Sequence, residues 1–350
     1  MKATSVAFAV SALLLAAALC FGQAKDPYRA FHRYRALAQS GKPYPGAPLK
    51  GRLIGFANIV GSFPFCVEVE NNLKEHLKLA GLDLNRGWIS LDNLGDPEIG
   101  LKNAELMLAR KPHLFIEFQL DPLVNSIVAA RFGAAGIPLL AIDQHVPGAP
   151  FVGIDNYQVA LLCGRTMAGL IRERWGGWDG VDAIFLGQHQ GLGEVARLRS
   201  EGVAQALAEE FDISPADPKI VRFEFVNDAP EEDGWGFAQV LADHPDAVRM
   251  AAAAINEFYV AGIITALQNA GRWEPANKII VTMGMDEIGQ VQLREGLSDA
   301  GIAFFPERYG EYVVPAVCAM LTGNPVPPYV FVKHEVITRD NLERWYPKKK

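Results

Sequence analysis

The sequence predicts an α/β protein built from two Rossmann-like, doubly wound lobes. Short runs of bulky apolar residues alternate with segments of helical period along nearly the whole chain. These runs end repeatedly on a polar side chain, as strands of an open parallel sheet do at a ligand crevice. Proline or an acidic cap opens many of the helices, and glycine closes several, where a missing N–H or a positive φ costs little. At 350 residues the chain has room for about two domains.

Residues 25–50 read as a short polar-aromatic segment, able to form a helix on the first domain, followed by a Pro-Gly linker over Pro43–Pro48. Tyr28, Phe31 and Tyr34 suit packing there. Leu53–Ala57 is the first buried-strand run and stops on Asn58. Pro64 opens a helix whose Phe65, Val69, Leu73, Leu77 and Ala80 share one face, with Gly81 as its stop. Strand Gly87–Leu91 leads to a helix opened by Asp96-Pro97. Strand Leu114–Phe118 leads to one opened by Asp121-Pro122. Strand Leu139–Ile142 ends on Asp143, Gln144 and His145. Phe151–Ile154 then ends on Asp155-Asn156.

The pattern begins again after that point. Helix Tyr157–Trp175 is closed by Gly176-Gly177, and strand Val181–Leu186 precedes helix Glu194–Glu210. Strand Ile220–Val226 precedes a helix near Glu231–Ala242, opened by Asp228-Ala229-Pro230. Strand Met250–Ile255 ends on Asn256-Glu257 before helix Tyr259–Ala270. Strand Ile279–Met283 ends near Asp286 and is followed by helix Ile288–Arg294. Strand Ile302–Phe305, helix Tyr309–Leu321 and a last strand at Tyr329–Ile337 complete about ten strands in all.

Composition narrows the function. With a net charge of −7 and no basic run except Lys348-Lys349-Lys350, the chain lacks the clustered cations a nucleic-acid partner needs. Lys2 followed by the apolar stretch Val6–Leu19 reads as an export signal, too short for a membrane span. Small residues at Gly22 and Ala24 place cleavage after residue 24, giving a periplasmic or other extracytoplasmic protein. The rival, a lipid anchor at Cys20, is disfavoured by bulky Leu19 before it. Cys66, Cys163 and Cys318 have no paired or metal-ligand spacing and read as buried small hydrophobes.

Catalytic patterns are missing. The first strand is not followed by GxGxxG, no GxSxG elbow occurs, and the histidines show no HExxH spacing. Asp143 and Asp286 as a glycosidase-like pair is the weak remaining enzyme reading. Any single Asn or Asp at a strand end is more often a helix cap than a ligand contact; the shared placement of many raises the binding reading.

Several motifs in order give a more specific likeness. Gly55-Phe56-Ala57-Asn58 with Phe63-Pro64-Phe65, then Pro138–Asp143, then Arg199-Ser200-Glu201-Gly202 come first. Asn256-Glu257, Met285-Asp286, Pro306–Gly310, Gly323–Pro327 and Ile337–Asn341 follow. From about Gly51 to Pro347 the chain resembles the periplasmic sugar-binding proteins of the ribose-binding type, the substrate-binding subunits of ABC importers. The resemblance implies a type I periplasmic binding protein fold whose lobes are joined by a hinge of about three crossings. Lobe 1 would comprise 51–154 and 304–332, and lobe 2 155–303 and 333–350.

It also implies a ligand site from Asn58, Phe63, Phe65, Glu117, Asp143, Gln144, Arg199, Asn256, Asp286 and Phe304, with no catalytic residue, metal or cofactor. Asp143 and Asp286 would accept ligand hydroxyls, Arg199 would donate, and Phe63 or Phe65 would stack on a sugar ring. The expected partners are a small carbohydrate or polyol and a membrane permease, with the chain itself a monomer. Gln144, Phe304 and Phe63 stand where the family has Arg, Gln and Asn. Those departures point away from ribose toward a deoxy or modified sugar, a sugar alcohol or a nucleoside-like compound. His189 and Trp235 are further pocket candidates, with packing an equal reading. A receptor signalling to a membrane sensor is the alternative with the same pocket. A sugar-responsive repressor would need a helix-turn-helix where this chain has its export signal.

Overall fold

The computed structural model describes residues 26–189, 191, 193–225, 234 and 236–348. The export signal at 1–24 with Cys20, the helix start at Asp228-Ala229-Pro230 and Glu231, and Trp235 lie outside the described residues.

Two six-stranded sheets organise the chain. In the first, β1 (Ile54–Asn58), β2 (Trp88–Asp92), β3 (Leu114–Glu117), β4 (Leu139–Ile142), β5 (Phe151–Gly153) and β11 (Tyr329–Phe331) run in the order β11-β5-β4-β3-β1-β2. All its pairings are parallel. The second contains β6 (Ala183–Gln188), β7 (Ile220–Glu224), β8 (Met250–Ala253), β9 (Lys278–Gly284), β10 (Ala300–Ala303) and β12 (Glu335–Ile337). Its order is β12-β10-β9-β8-β6-β7, and only β12 is antiparallel. Central strands β1, β3, β4, β8 and β9 are buried along their whole length. That is why they read as continuous apolar runs rather than alternating ones.

The helices begin where the punctuation places them. Asp96 accepts from the backbone N–H groups of Glu98 (2.7 Å) and Ile99 (3.0 Å) to cap α4 (Pro97–Arg110). Asp121 does the same for Leu123 and Val124 at the start of α5 (Pro122–Ala134). These bonds satisfy N–H groups that a helix start leaves without partners. They follow α2 (Pro64–Leu79) and the short α3 (Leu84–Gly87). In the N-terminal segment α1 (Arg29–Gln39) forms and buries Phe31, Tyr34 and Ala38. Tyr34 stacks on Tyr44 with centroids 5.9 Å apart. The Arg35 guanidinium lies 4.4 Å over the ring of Tyr312, in α11 (Gly310–Leu321).

In the second lobe α6 (Asn156–Trp175) packs along α7 (Gly193–Phe211). A β-carbon on Gly202 would come within 2.6 Å of Ala160 Cβ and 2.9 Å of the Tyr157 carbonyl. Only glycine permits that approach, and it fixes Arg199, one turn earlier on α7, against the start of α6. The remaining helices among the described residues are α8 (Phe237–Ala242), α9 (Glu257–Asn269), α10 (Glu287–Glu295) and α12 (Arg339–Trp345).

The chain passes between lobes three times. It leaves the first sheet after β5, returns after β10 to build α11 on α1 and α2, and leaves again after β11. The expected single strand over Tyr329–Ile337 is therefore two. Tyr329–Phe331 pairs with β5 in one sheet and Glu335–Ile337 with β10 in the other. Both pieces are three residues long, so apolar content could not reveal the change of sheet between them.

Glu117, a site candidate, faces away from the lobe interface. It is 1% exposed, and neither carboxyl oxygen has a hydrogen-bond partner among the described residues. Burial pushes its carboxyl up from the usual range to about 8. Between about pH 4.5 and 8 the folded chain therefore keeps a proton that the unfolded chain has lost, so raising pH across that window favours unfolding. Glu117→Gln is expected to remove that part of the slope, worth on the order of a few kcal/mol. Urea midpoints at pH 5 and pH 8 for both proteins check it. An unchanged slope in the variant would mean that Glu117 is ionised in the fold.

Candidate functional site

The carboxyl ends of the two sheets enclose a cavity of about 260 Å³. Its floor is built by β4, which delivers Asp143 in the left-handed region (φ 55°) with its backbone N–H bonded to the Val152 carbonyl. The neighbouring strand can come this close because residue 153 is glycine. A β-carbon there would lie 2.2 Å from Asp143 Oδ1. Oδ1 accepts from the Ile154 N–H at 2.9 Å, and the Tyr309 hydroxyl donates between Oδ1 and Oδ2 at 2.9 and 3.0 Å. Burial pushes the Asp143 carboxyl up to about 6, against the pull of these two donors and of the Arg199 charge.

Arg199 enters from the second lobe and is 7% exposed. Its Nε donates to Asn156 Oδ1 at 2.9 Å and its Nη1 to the Ile255 carbonyl. The Phe304 ring lies 4.8 Å from the guanidinium carbon. Burial draws the guanidinium down to about 10, and Asp143 is the first charge holding it up. A buried charge needs both a counter-charge and hydrogen bonds to be tolerated, and this one has them.

The second-lobe wall is made by two helix starts. Asn256 Oδ1 accepts from the Phe258 and Tyr259 N–H groups (3.0 and 3.2 Å), and Asp286 Oδ1 from those of Ile288 and Gly289 (2.9 and 3.4 Å). Both residues thus serve as caps and still border the cavity, so the structural and binding readings of these strand-end residues hold together. Between them Glu257 Oε1 accepts from the Asp286 N–H at 2.6 Å, and the Gln292 amide donates to the Glu257 carbonyl at 2.9 Å. Burial first, and then the adjacent Asp286 carboxyl, push Glu257 well above the usual carboxylate range.

Aromatic rings form much of the rest. Phe65 stands edge-on to Phe118, Phe304 and Tyr309 at 6.5, 6.4 and 5.6 Å. Phe63 of the first lobe meets Phe258 of the second at 5.8 Å, nearly perpendicular, closing one side of the cleft.

Of the ten sequence-predicted site residues, Phe63, Phe65, Asp143, Gln144, Arg199, Asn256, Asp286 and Phe304 line the cavity. Asn58 and Glu117 do not. The Asn58 amide turns toward α2, donating to the Cys66 carbonyl (3.3 Å) and to Glu70 Oε2 (3.1 Å). Glu117 lies on the opposite face of its strand, over α4 and α5. Being last in a strand does not settle which face a side chain takes. His189 lies outside the lining, its Nδ1 accepting from the Gly191 N–H at 3.1 Å and its ring 5.6 Å from that of Tyr259. Sequence reasoning passed over Asn156, Glu257, Phe258 and Tyr259 as lining residues, and Tyr309 behind Asp143. Glu257 was signalled only by following Asn256, and Tyr309 by its place in Pro306–Gly310.

Tyr309 acts through Asp143. Tyr309→Phe is expected to keep the fold, since the ring remains, and to weaken ligand binding by about tenfold, the worth of one hydrogen bond to a charged group. Calorimetric affinities of the two proteins test this. Equal affinities would show that Asp143 is held adequately by the Ile154 N–H alone.

Among the described residues no group of three or more His, Cys, Asp or Glu side chains is placed to hold a metal ion. No described helix is long and apolar enough to cross a membrane.

The family model described as a periplasmic binding protein domain matches residues 54–325. No curated protein matches the sequence. Solved structures share the fold at low identity. An ABC transporter solute-binding protein from Mycobacterium smegmatis with bound glycerol has a TM-score of 0.71 and 20% identity, covering 85% of this chain and 98% of its own. One from Bacillus halodurans with bound myo-inositol has a TM-score of 0.70 and 19% identity, covering 85% and 97%. One from Actinobacillus succinogenes with bound D-allose has a TM-score of 0.69 and 16% identity, covering 84% and 99%.

Proposed function

The chain belongs to the periplasmic binding protein domain family, and from that premise we propose that it is an exported solute-binding subunit. In this reading it captures a carbohydrate or polyol between its lobes and delivers it to the membrane permease of an ABC importer. It works as a monomer and without turnover.

One observation carries the reading. The Asp143–Arg199–Tyr309 arrangement puts a carboxylate, a guanidinium and a phenol at one end of a ring-lined cavity between two sheets. A carboxylate accepts hydroxyl donors and a guanidinium fork donates to hydroxyl oxygens, while the faces of Phe63, Phe65 and Phe304 suit the C–H face of a ring. The relatives above hold allose, inositol and glycerol, all neutral polyols. Lobe 1 (51–154 and 304–332) supplies Asp143, and lobe 2 (155–303 and 333–350) supplies Arg199 and Asp286. A bound ligand would bridge them and hold the lobes closed about the three crossings.

Thermal-shift screening of the mature protein against sugars, polyols and nucleosides tests this. A ligand at about 100 times its Kd adds about 2.7 kcal/mol, a rise of several degrees. If no such compound raises the midpoint while a charged metabolite does, the carbohydrate reading is wrong.

A further inference from the structure

Among the described residues the cavity wall carries three carboxyls, Asp143, Glu257 and Asp286, and one cation, Arg199, with no lysine or histidine. Charge buried in a cavity is costly unless an opposite charge or a hydrogen bond answers it. Arg199 answers Asp143 first: Asp143 is the largest charge acting on the guanidinium, and Glu257 is a weaker one. Asp143 also has the Tyr309 hydroxyl.

Glu257 and Asp286 answer each other instead, their carboxyls hydrogen-bonded side chain to side chain. Glu257 is 2% exposed and Asp286 7%, and neither forms an ion pair among the described residues. Each also accepts from backbone N–H groups: Glu257 from that of Asp286, and Asp286 from those of Ile288 and Gly289. The other titratable groups acting on them are Arg199 on α7, through Glu257, and the phenol of Tyr346 after α12. Phe258 and Tyr259, next in sequence, line the same wall, with Phe63 across the cleft. Two carboxyls without a cation, beside aromatic rings in a cavity of small-molecule size, are the complement of an ammonium.

We infer that the ligand is a sugar or polyol carrying one basic nitrogen, whose ammonium seats against Glu257 and Asp286 while its hydroxyls meet Asp143 and Arg199. The inference rests on the carbohydrate reading and narrows it. Burial and its carboxyl neighbour favour the protonated form of Glu257. The arriving ammonium supplies the positive charge in its place, and that proton leaves to solvent. No bond is made or broken in the ligand.

The test uses the mature protein and a panel of pentoses and hexoses, each as the neutral parent, the amino sugar and the N-acetylamino sugar. For the frame that binds, the amino form is expected to bind at least about tenfold tighter than the parent at pH 7, and acetylation to abolish the gain. Calorimetry in phosphate and in Tris should report proton release for the amino form only. Glu257→Gln should reduce the advantage of the amino form to below about threefold. Should that variant not fold, the acetylation series and proton count on the wild type decide the matter alone. Neutral parents binding as tightly as amino sugars, or an advantage that survives Glu257→Gln, overturns this inference and leaves the carbohydrate reading standing. If no sugar binds in any form and no polyol raises the melting midpoint, both fall.

Discussion

Asp143→Asn is expected to abolish the ligand-induced thermal shift while leaving a folded protein. Asparagine is isosteric with aspartate and tolerates the left-handed backbone that residue 143 adopts (φ 55°), so the turn after β4 should survive. The side-chain carbonyl can still accept from the Ile154 N–H and the Tyr309 hydroxyl. The negative charge is lost, and with it the acceptor for ligand hydroxyls and the first counter-charge of Arg199. A hydrogen bond to a charged group contributes about 1.5–3 kcal/mol, so each ligand hydroxyl released costs roughly 10- to 150-fold in affinity. Wild type should approach the same loss below pH 6, because the carboxyl titrates near there and protonation removes the same charge. Its affinity should be level above that pH and fall up to about tenfold per unit beneath it. Titrations at pH 5, 6 and 8 on both proteins give the answer. A variant that binds like wild type would remove Asp143 from the site.

The second large effect falls on stability. Arg199→Met keeps most of the stem volume but deletes the donors to Asn156 and the Ile255 carbonyl and leaves Asp143 buried without its cation. Losing two hydrogen bonds from a charged group, at about 1.5–3 kcal/mol each, costs about 3–6 kcal/mol, which for a chain of this size means a melting midpoint lower by roughly 10 °C. The loss should shrink at pH 5. There Asp143, whose carboxyl is pushed up further in the variant, can take a proton and shed its uncompensated charge. The variant's folded state then binds a proton that its unfolded state binds less well, so its stability falls as pH rises. The double variant with Asp143→Asn should be more stable at pH 8 than Arg199→Met alone. Melting curves at the two pH values decide it. A loss independent of pH would mean that packing against Phe304, rather than charge, is what Arg199 contributes.

Much of this was legible in the chain. Strand runs such as Leu139–Ile142 and Met250–Ile255 are apolar because parallel strands are covered on both faces, and helix starts such as Asp96-Pro97 carry their own caps. These are local demands, written in consecutive residues. Asp143, Arg199 and Asp286, read from strand ends and one helix motif, line the cavity at the lobe boundary. The errors have a common origin. Asn58 and Glu117 sit at strand ends as Asp143 does, yet one bonds into α2 and the other lies buried over α4 and α5.

By itself the sequence determined the alternating α/β order, two lobes and most of the residues at their meeting edge, because each depends on residues a few places apart. The tertiary structure alone decided how the charges are shared. Tyr309 is 166 positions from Asp143, and Glu257 is 29 from Asp286. Which carboxyl gains a donor, which lacks a cation and which is sealed from solvent depends on distances of a few ångströms between segments far apart in the chain. Electrostatic energy in a buried site varies steeply with those distances and with exposure, and neither is encoded in the spacing of residues along the sequence.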